Sequence, residues 1–159
     1  MKLLMIKTES PEATQRLGRL TGQAAAAGDV ILLEGPLGAG KTTFTQGLAA
    51  GLDITGGVMS PTFVLLRQLE GRLPLYHLDL YRLEAAPEIS DLGLDDYFYG
   101  RGVTVVEWAD RAGGLMPEEH LGISLKYADD GARRLAFTAC GSRYEKLLED
   151  ITAGMENSS

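Results

Sequence analysis

Two textures of apolar residue divide this chain into elements. Val30-Ile31-Leu32-Leu33 is unbroken and rich in β-formers, which predicts a short strand buried on both faces. Val103-Thr104-Val105-Val106 repeats the pattern and leads into Glu107-Trp108. Val64 to Leu69 and Leu73 to Leu80 read as two strands around Glu70-Gly71, and Leu121 to Ala128 and Arg133 to Cys140 as two more around Asp129-Asp130-Gly131, so two antiparallel hairpins are predicted. Helical signals fall between the strands. Ser10 before Pro11 and Glu12 starts a helix predicted to run to Gly28, with Ala24 to Ala27 either packed closely on a neighbour or exposed. Thr43 to Ala50 continues as a second helix ended by Gly51, and Ser142 caps a third with Tyr144, Leu147, Leu148 and Ile151 at helical spacing before a polar tail over about 154–159. Pro87 to Gly100 lacks long-range regularity and predicts short helices or turns. The sum is a single-domain α/β fold over residues 1–159: a mostly parallel central sheet flanked by helices, with antiparallel hairpins.

The junction between the first apolar run and the second helix carries the chemistry. Gly35-Pro36-Leu37-Gly38-Ala39-Gly40-Lys41-Thr42 fits G-x-x-x-x-G-K-[ST] with a strand before it and a helix after it, the setting in which that motif is a P-loop. Its glycines permit dihedrals closed to other residues, so successive N–H groups turn inward around a phosphate at the positive end of the helix. Pro36, Leu37, Gly38, Ala39, Gly40, Lys41, Thr42 and Thr43 are the expected nucleotide-binding residues, with Lys41 on the β- and γ-phosphates and Thr42 offering its hydroxyl to Mg²⁺.

Composition narrows the classes. With 159 residues, 45% hydrophobic and 23% charged, the chain suits one ordinary globule. No apolar run approaches membrane-spanning length and Met1 to Lys7 is too short for a secretory signal, so a cytoplasmic protein without membrane contact is expected. One cysteine, Cys140, excludes an internal disulfide, and with His77 and His120 it is too little for structural zinc; it is expected as a small core residue at a strand end. A net charge of −7 opposes direct binding to a polyphosphate backbone.

A P-loop also needs an acid beside its metal, and Glu107, directed outward by the four β-formers before it, is the best-placed candidate. Asp79 competes for the role, since either acid can hold a metal water or orient the attacking one. By period two His77, Asp79 and Tyr81 share one strand face, which reads equally as the solvated face of a half-buried strand.

Gly35 to Thr43, Ser60-Pro61-Thr62-Phe63, His77-Leu78-Asp79-Leu80-Tyr81-Arg82 and Glu107-Trp108-Ala109-Asp110-Arg111, in that order, resemble TsaE, the bacterial ATPase of tRNA threonylcarbamoyladenosine synthesis. The resemblance runs from the first helix to Arg111. It implies a P-loop NTPase fold, ATP or ADP with Mg²⁺ as cofactors, and work beside TsaD and TsaB, with tRNA met through that complex. It implies further that Thr42 and Glu107 are on the metal side, that Asp79 is needed for turnover, that Ser60 to Phe63 form a nucleotide-sensitive switch, and that Trp108 lies near the nucleotide; Trp108 also reads as an apolar anchor after a core strand. Pro36 departs from the acid common there in the family but leaves the later N–H donors intact.

The reaction expected is phosphoryl transfer from ATP to water, catalysed by Asp79 and Glu107, slow alone because no arginine finger precedes the site and faster with partners. A nucleotide-controlled binding switch with little turnover is the alternative from another class, and a small-metabolite P-loop kinase the third, which lacks an Arg-rich lid. The guanine-reading Asn-Lys-x-Asp of signalling GTPases is absent.

Overall fold

β2 (Val30–Glu34) is buried from Val30 to Leu33, with an apolar cluster on each face and a parallel strand along each edge: β5 (Val103–Glu107) and β6 (His120–Tyr127). The structure, a computed structural model, describes residues 2–36, 38–55, 66–80, 98, 100–109 and 116–157. Among these, β1 (Lys2–Thr8), β3 (Leu66–Leu69), β4 (Leu75–Asp79) and β7 (Arg133–Cys140) complete a seven-stranded sheet in the order β1-β7-β6-β2-β5-β4-β3. The sheet is mixed, not mostly parallel. The four central strands β6, β2, β5 and β4 run parallel, while β1, β7 and β3 are antiparallel to their neighbours. Both predicted hairpins form, β3–β4 and β6–β7, and it is their outer strands, β3 and β7, that run against the parallel centre, while β1, antiparallel to β7, runs with it.

Three helices stand among the described residues: α1 (Pro11–Ala24), α2 (Lys41–Gly51) and α3 (Ser142–Asn157). Their apolar side chains, including Leu17, Phe44, Leu48, Leu147 and Ile151, share one buried cluster with Ile31 and Leu33 of β2 and Val103 and Val105 of β5. Val30, Leu32, Leu78, Val106 and Phe98 form a smaller cluster on the other face. No described helix is long and apolar enough to cross a membrane.

Three boundaries differ from the sequence reading. α1 stops at Ala24 rather than Gly28, because Asp29 accepts from the Ala26 N–H at 2.8 Å and Arg72 donates to the carbonyls of Gly22 and Ala25, at 2.9 and 3.1 Å, giving the chain other partners than a further helical turn. α3 is capped by Gly141 and not Ser142: the Gly141 carbonyl accepts from Tyr144 and Glu145, both at 3.0 Å, and the helix persists through Asn157 into the expected tail. Cys140 ends β7 as expected but is half-buried rather than in the core.

α1 and α2 meet main chain to main chain. A Cβ on Gly18 would lie 2.2 Å from the Phe44 carbonyl oxygen, and one on Gly47 2.0 Å from that of Gln15. Ser10 caps α1 by accepting from Ala13 at 3.1 Å, so the helix is anchored at its start as the sequence predicts. At the other end of the layer, Asp29 is buried and paired with Arg143 of α3 at 2.6 Å, which raises the guanidinium's pKa, chiefly through this hydrogen bond.

Gly47→Ala is expected to lower stability by about 1–3 kcal/mol, read by denaturant unfolding, because backbone must move to admit the methyl group. Tyr144 gives a second expectation. Its hydroxyl accepts from the Val30 N–H at 2.9 Å, and burial raises its pKa above 10.0 against the opposing effect of that bond. The folded state keeps this proton where the unfolded chain releases it, so stability falls as pH rises above about 10. Tyr144→Phe should flatten that alkaline loss and cost about 1–3 kcal/mol at neutral pH, since the Val30 N–H is left buried without its acceptor.

Candidate functional site

The loop from β2 to α2 curls on three left-handed glycines, Gly35 (φ 147°), Gly38 (φ 81°) and Gly40 (φ 111°), the last capping α2. Ala39 is buried and donates to the Pro36 carbonyl at 3.1 Å, closing the turn, and Phe44 donates to Gly40 at 2.8 Å as the helix begins. An α-helix leaves its first N–H groups without intrahelical acceptors, and α2 has no acidic side chain in its first turn to offset their positive end. Pro36 and Gly38 are exposed at the rim, while Gly40, Thr42 and Thr43 are half-buried. Leu37 lies outside the described residues.

Lys41 turns back into the loop. It is 5% exposed, and its Nζ donates to the carbonyls of Gly35 at 2.6 Å and Pro36 at 3.0 Å and lies 3.9 Å from the centre of the Trp108 ring. Trp108 reaches that position through a φ of 62°, unusual for a residue with a bulky side chain, directly after β5. It is half-buried and lines a cleft of about 300 Å³ with Glu34, Gly35, Pro36, Ser124, Leu125 and Lys126. Trp108 thus stands beside the loop.

The two acids come together at the strand ends. In the parallel pairing of β4 with β5, Asp79 is the register partner of Glu107, and in that of β2 with β5, Leu33 is. By period two Asp79, Glu107 and His77 fall on the face of Leu33, Val103 and Val105, the face the helices cover. Glu107 does not point outward: it is 2% exposed, and its Oε2 lies 2.5 Å from Nε2 of His77, which is fully buried. The solvated-face reading of His77 therefore fails. The strand is covered on both faces, so period two cannot mark solvent there. Asp79 is half-buried. Tyr81, Arg82, Ser60 to Phe63, Asp110 and Arg111 fall outside the described residues.

Sequence reasoning missed the far wall. Arg133, the first residue of β7, donates to the Gly38 carbonyl at 3.3 Å and stacks its guanidinium 4.6 Å from the centre of the Tyr127 ring. A Cβ on Gly38 would meet the Tyr127 hydroxyl at 2.7 Å. The hairpin was legible, but not its place beside β2, which brings its turn end, with Tyr127 and Arg133, to the loop.

A family model, threonylcarbamoyl adenosine biosynthesis protein TsaE, matches residues 8–135. This chain belongs to the TsaE family. It is 51% identical over 153 residues to the tRNA threonylcarbamoyladenosine biosynthesis protein TsaE of Bacillus subtilis (strain 168), covering 96% of each chain. The TsaE of Nostoc sp. is 48% identical over 86% of each, and that of Treponema pallidum 43% identical over 80% of this chain and 95% of that one. Among solved structures, a crystal structure of B. subtilis YdiB superposes with a TM-score of 0.83 at 45% identity, covering 96% of both chains. The TsaE match takes in every site element described above.

Trp108 is the sole tryptophan, so its emission is assigned without ambiguity. Replacing Lys41 with Met should change that emission by removing the cation from the ring face; an unchanged spectrum would mean that the two do not meet in solution.

Proposed function

We propose that this TsaE protein is a P-loop NTPase that binds ATP with Mg²⁺ and hydrolyses it in support of threonylcarbamoyladenosine formation on tRNA, working beside TsaD and TsaB in the cytoplasm. The observation that carries the reading is Lys41: an ammonium drawn inside a ring of left-handed glycines at the start of a helix, where the acceptors offered by the ring are neutral carbonyls. A triphosphate seated on the loop would bring charged oxygens to that ammonium, and a phosphate is the ligand for which helix-end N–H groups and a lysine are jointly suited.

The donor set fits a phosphate-bound Mg²⁺. Thr42 would supply its hydroxyl and Glu107 a carboxylate, oxygen donors of the kind Mg²⁺ prefers. When bound, the ion's contribution is charge neutralisation across the β- and γ-phosphates. The chain's own groups do the rest. The N–H groups of Gly38 to Thr43 hold the phosphates in place, Lys41 stabilises negative charge on the transferred group, and Asp79, beside Glu107 at the neighbouring strand end, orients the attacking water. Trp108 borders the nucleotide. Arg133 reaches the outside of the loop at Gly38, and no arginine finger precedes the site in the sequence, so turnover by the chain alone is slow and rises with partners, by as much as about 10³ to 10⁵ if one of them supplies an arginine.

Lys41→Ala should abolish nucleotide binding, whereas Asp79→Ala should bind normally and lose turnover. Trp108 emission against ATP and ADP, with phosphate release on the same samples, checks both; normal hydrolysis by Asp79→Ala would remove it from the mechanism.

A further inference from the structure

Resting on the nucleotide reading above, we propose that His77 is a positioning residue for turnover: its Nε2–H fixes one oxygen of Glu107 from within the core, so that the other is presented toward the phosphates in a single orientation. Four observations carry this. The contact is short, 2.5 Å between Nε2 and Oε2, and both side chains are buried, at 0% and 2% exposure. His77 sits on a rigid element two residues before Asp79, one layer deeper in the same strand face, with Val105 as its register partner while Asp79 takes Glu107. The donor therefore comes from beneath the acid and not from the solvent side, where a ligand approaches.

The fourth observation fixes the tautomer. Nδ1 of His77 is the one buried side-chain nitrogen or oxygen among the described residues that lacks a hydrogen-bond partner. A buried N–H without an acceptor is rarer than an under-satisfied lone pair, so Nδ1 is the bare nitrogen and the hydrogen sits on Nε2, against a carboxylate that can only accept. His120 is the internal contrast. Its Nδ1 lies 2.8 Å from the Pro117 carbonyl, which also only accepts, so its hydrogen is on Nδ1. The partnered nitrogen is thus Nε2 on His77 and Nδ1 on His120.

An outer-shell donor of this kind orients a ligating carboxylate, and its loss typically lowers activity or metal affinity about 10- to 100-fold. The test compares the full-length parent with His77→Leu, which removes the donor, and His77→Gln, which restores an N–H near the Nε2 position. Each is measured for melting temperature, nucleotide affinity without Mg²⁺ by Trp108 emission, the Mg²⁺ concentration giving half-maximal turnover, and kcat. His77→Leu should keep metal-free nucleotide affinity, lose kcat about 10-fold or more and need more Mg²⁺, and His77→Gln should recover a substantial part of both. A folded His77→Leu with parental kcat and Mg²⁺ requirement overturns the proposal, as does a folded His77→Gln no better than Leu. Imidazole nitrogen resonances of the unmutated protein decide the matter if neither variant folds: Nε2–H on His77 supports it, and Nδ1–H overturns it. Absence of nucleotide binding by the unmutated protein would instead sink the nucleotide reading, while leaving the His77 tautomer and its bond to Glu107 measurable.

Discussion

The aim of α2 depends on its contact with α1. Gly18, Gly22, Gly47 and Gly51, spaced by four on each helix, strip the side chains from the crossing, so that carbonyl oxygens of one helix sit where Cβ atoms of the other would be. A helix held through its backbone cannot roll to relieve a misfit at one end. The direction of its first N–H groups, and with it the curl of the loop closed by Gly40, is thus set by packing that touches no ligand. Thr14 of α1 and Leu125 of β6 flank Gly40 and extend that control to the cap itself.

The sheet supplies the second half of the arrangement. Its four parallel strands all deliver their carboxyl ends to the same edge: β2 ends in the loop, β5 in Glu107 and Trp108, β4 in Asp79, and β6 in Tyr127. Parallel order at the centre is what gathers groups from distant parts of the chain, and ligands of open α/β sheets collect at such an edge. The antiparallel strands at the rims serve a different end. β7 carries Arg133 to the outside of the loop, and β3 covers the flank of β4.

How much of this the residues announced follows from how local each signal is. The loop and its two flanking elements were legible because the motif and the unbroken run Val30 to Leu33 are contiguous. Both hairpins were legible from their turns. The mixed character of the sheet was not, since nothing within a hairpin says which of its strands joins the parallel centre. The burial of Glu107 and His77 was not legible for one shared reason: 30 residues separate them, and each looks solvent-facing until the other is present to satisfy it. Asp79 beside Glu107 was anticipated as an alternative, but as rivals and not as register neighbours. Arg133 and Tyr127 carried no signal, because their importance lies in where β6 docks.

Strand order also constrains how the molecule comes into being. β1 pairs along its whole length with β7, Lys2 with Ala139 through Thr8 with Arg133, and β7 meets the centre only through β6. A segment made early must wait for one made much later, so the sheet closes by long-range contacts whose loop-closure entropy is high and whose formation is slow. Even once paired, β1 is an end strand of the described sheet with Leu3 and Met5 exposed, and the lysines that bracket them, Lys2 and Lys7, are the feature that discourages a neighbouring chain from pairing there.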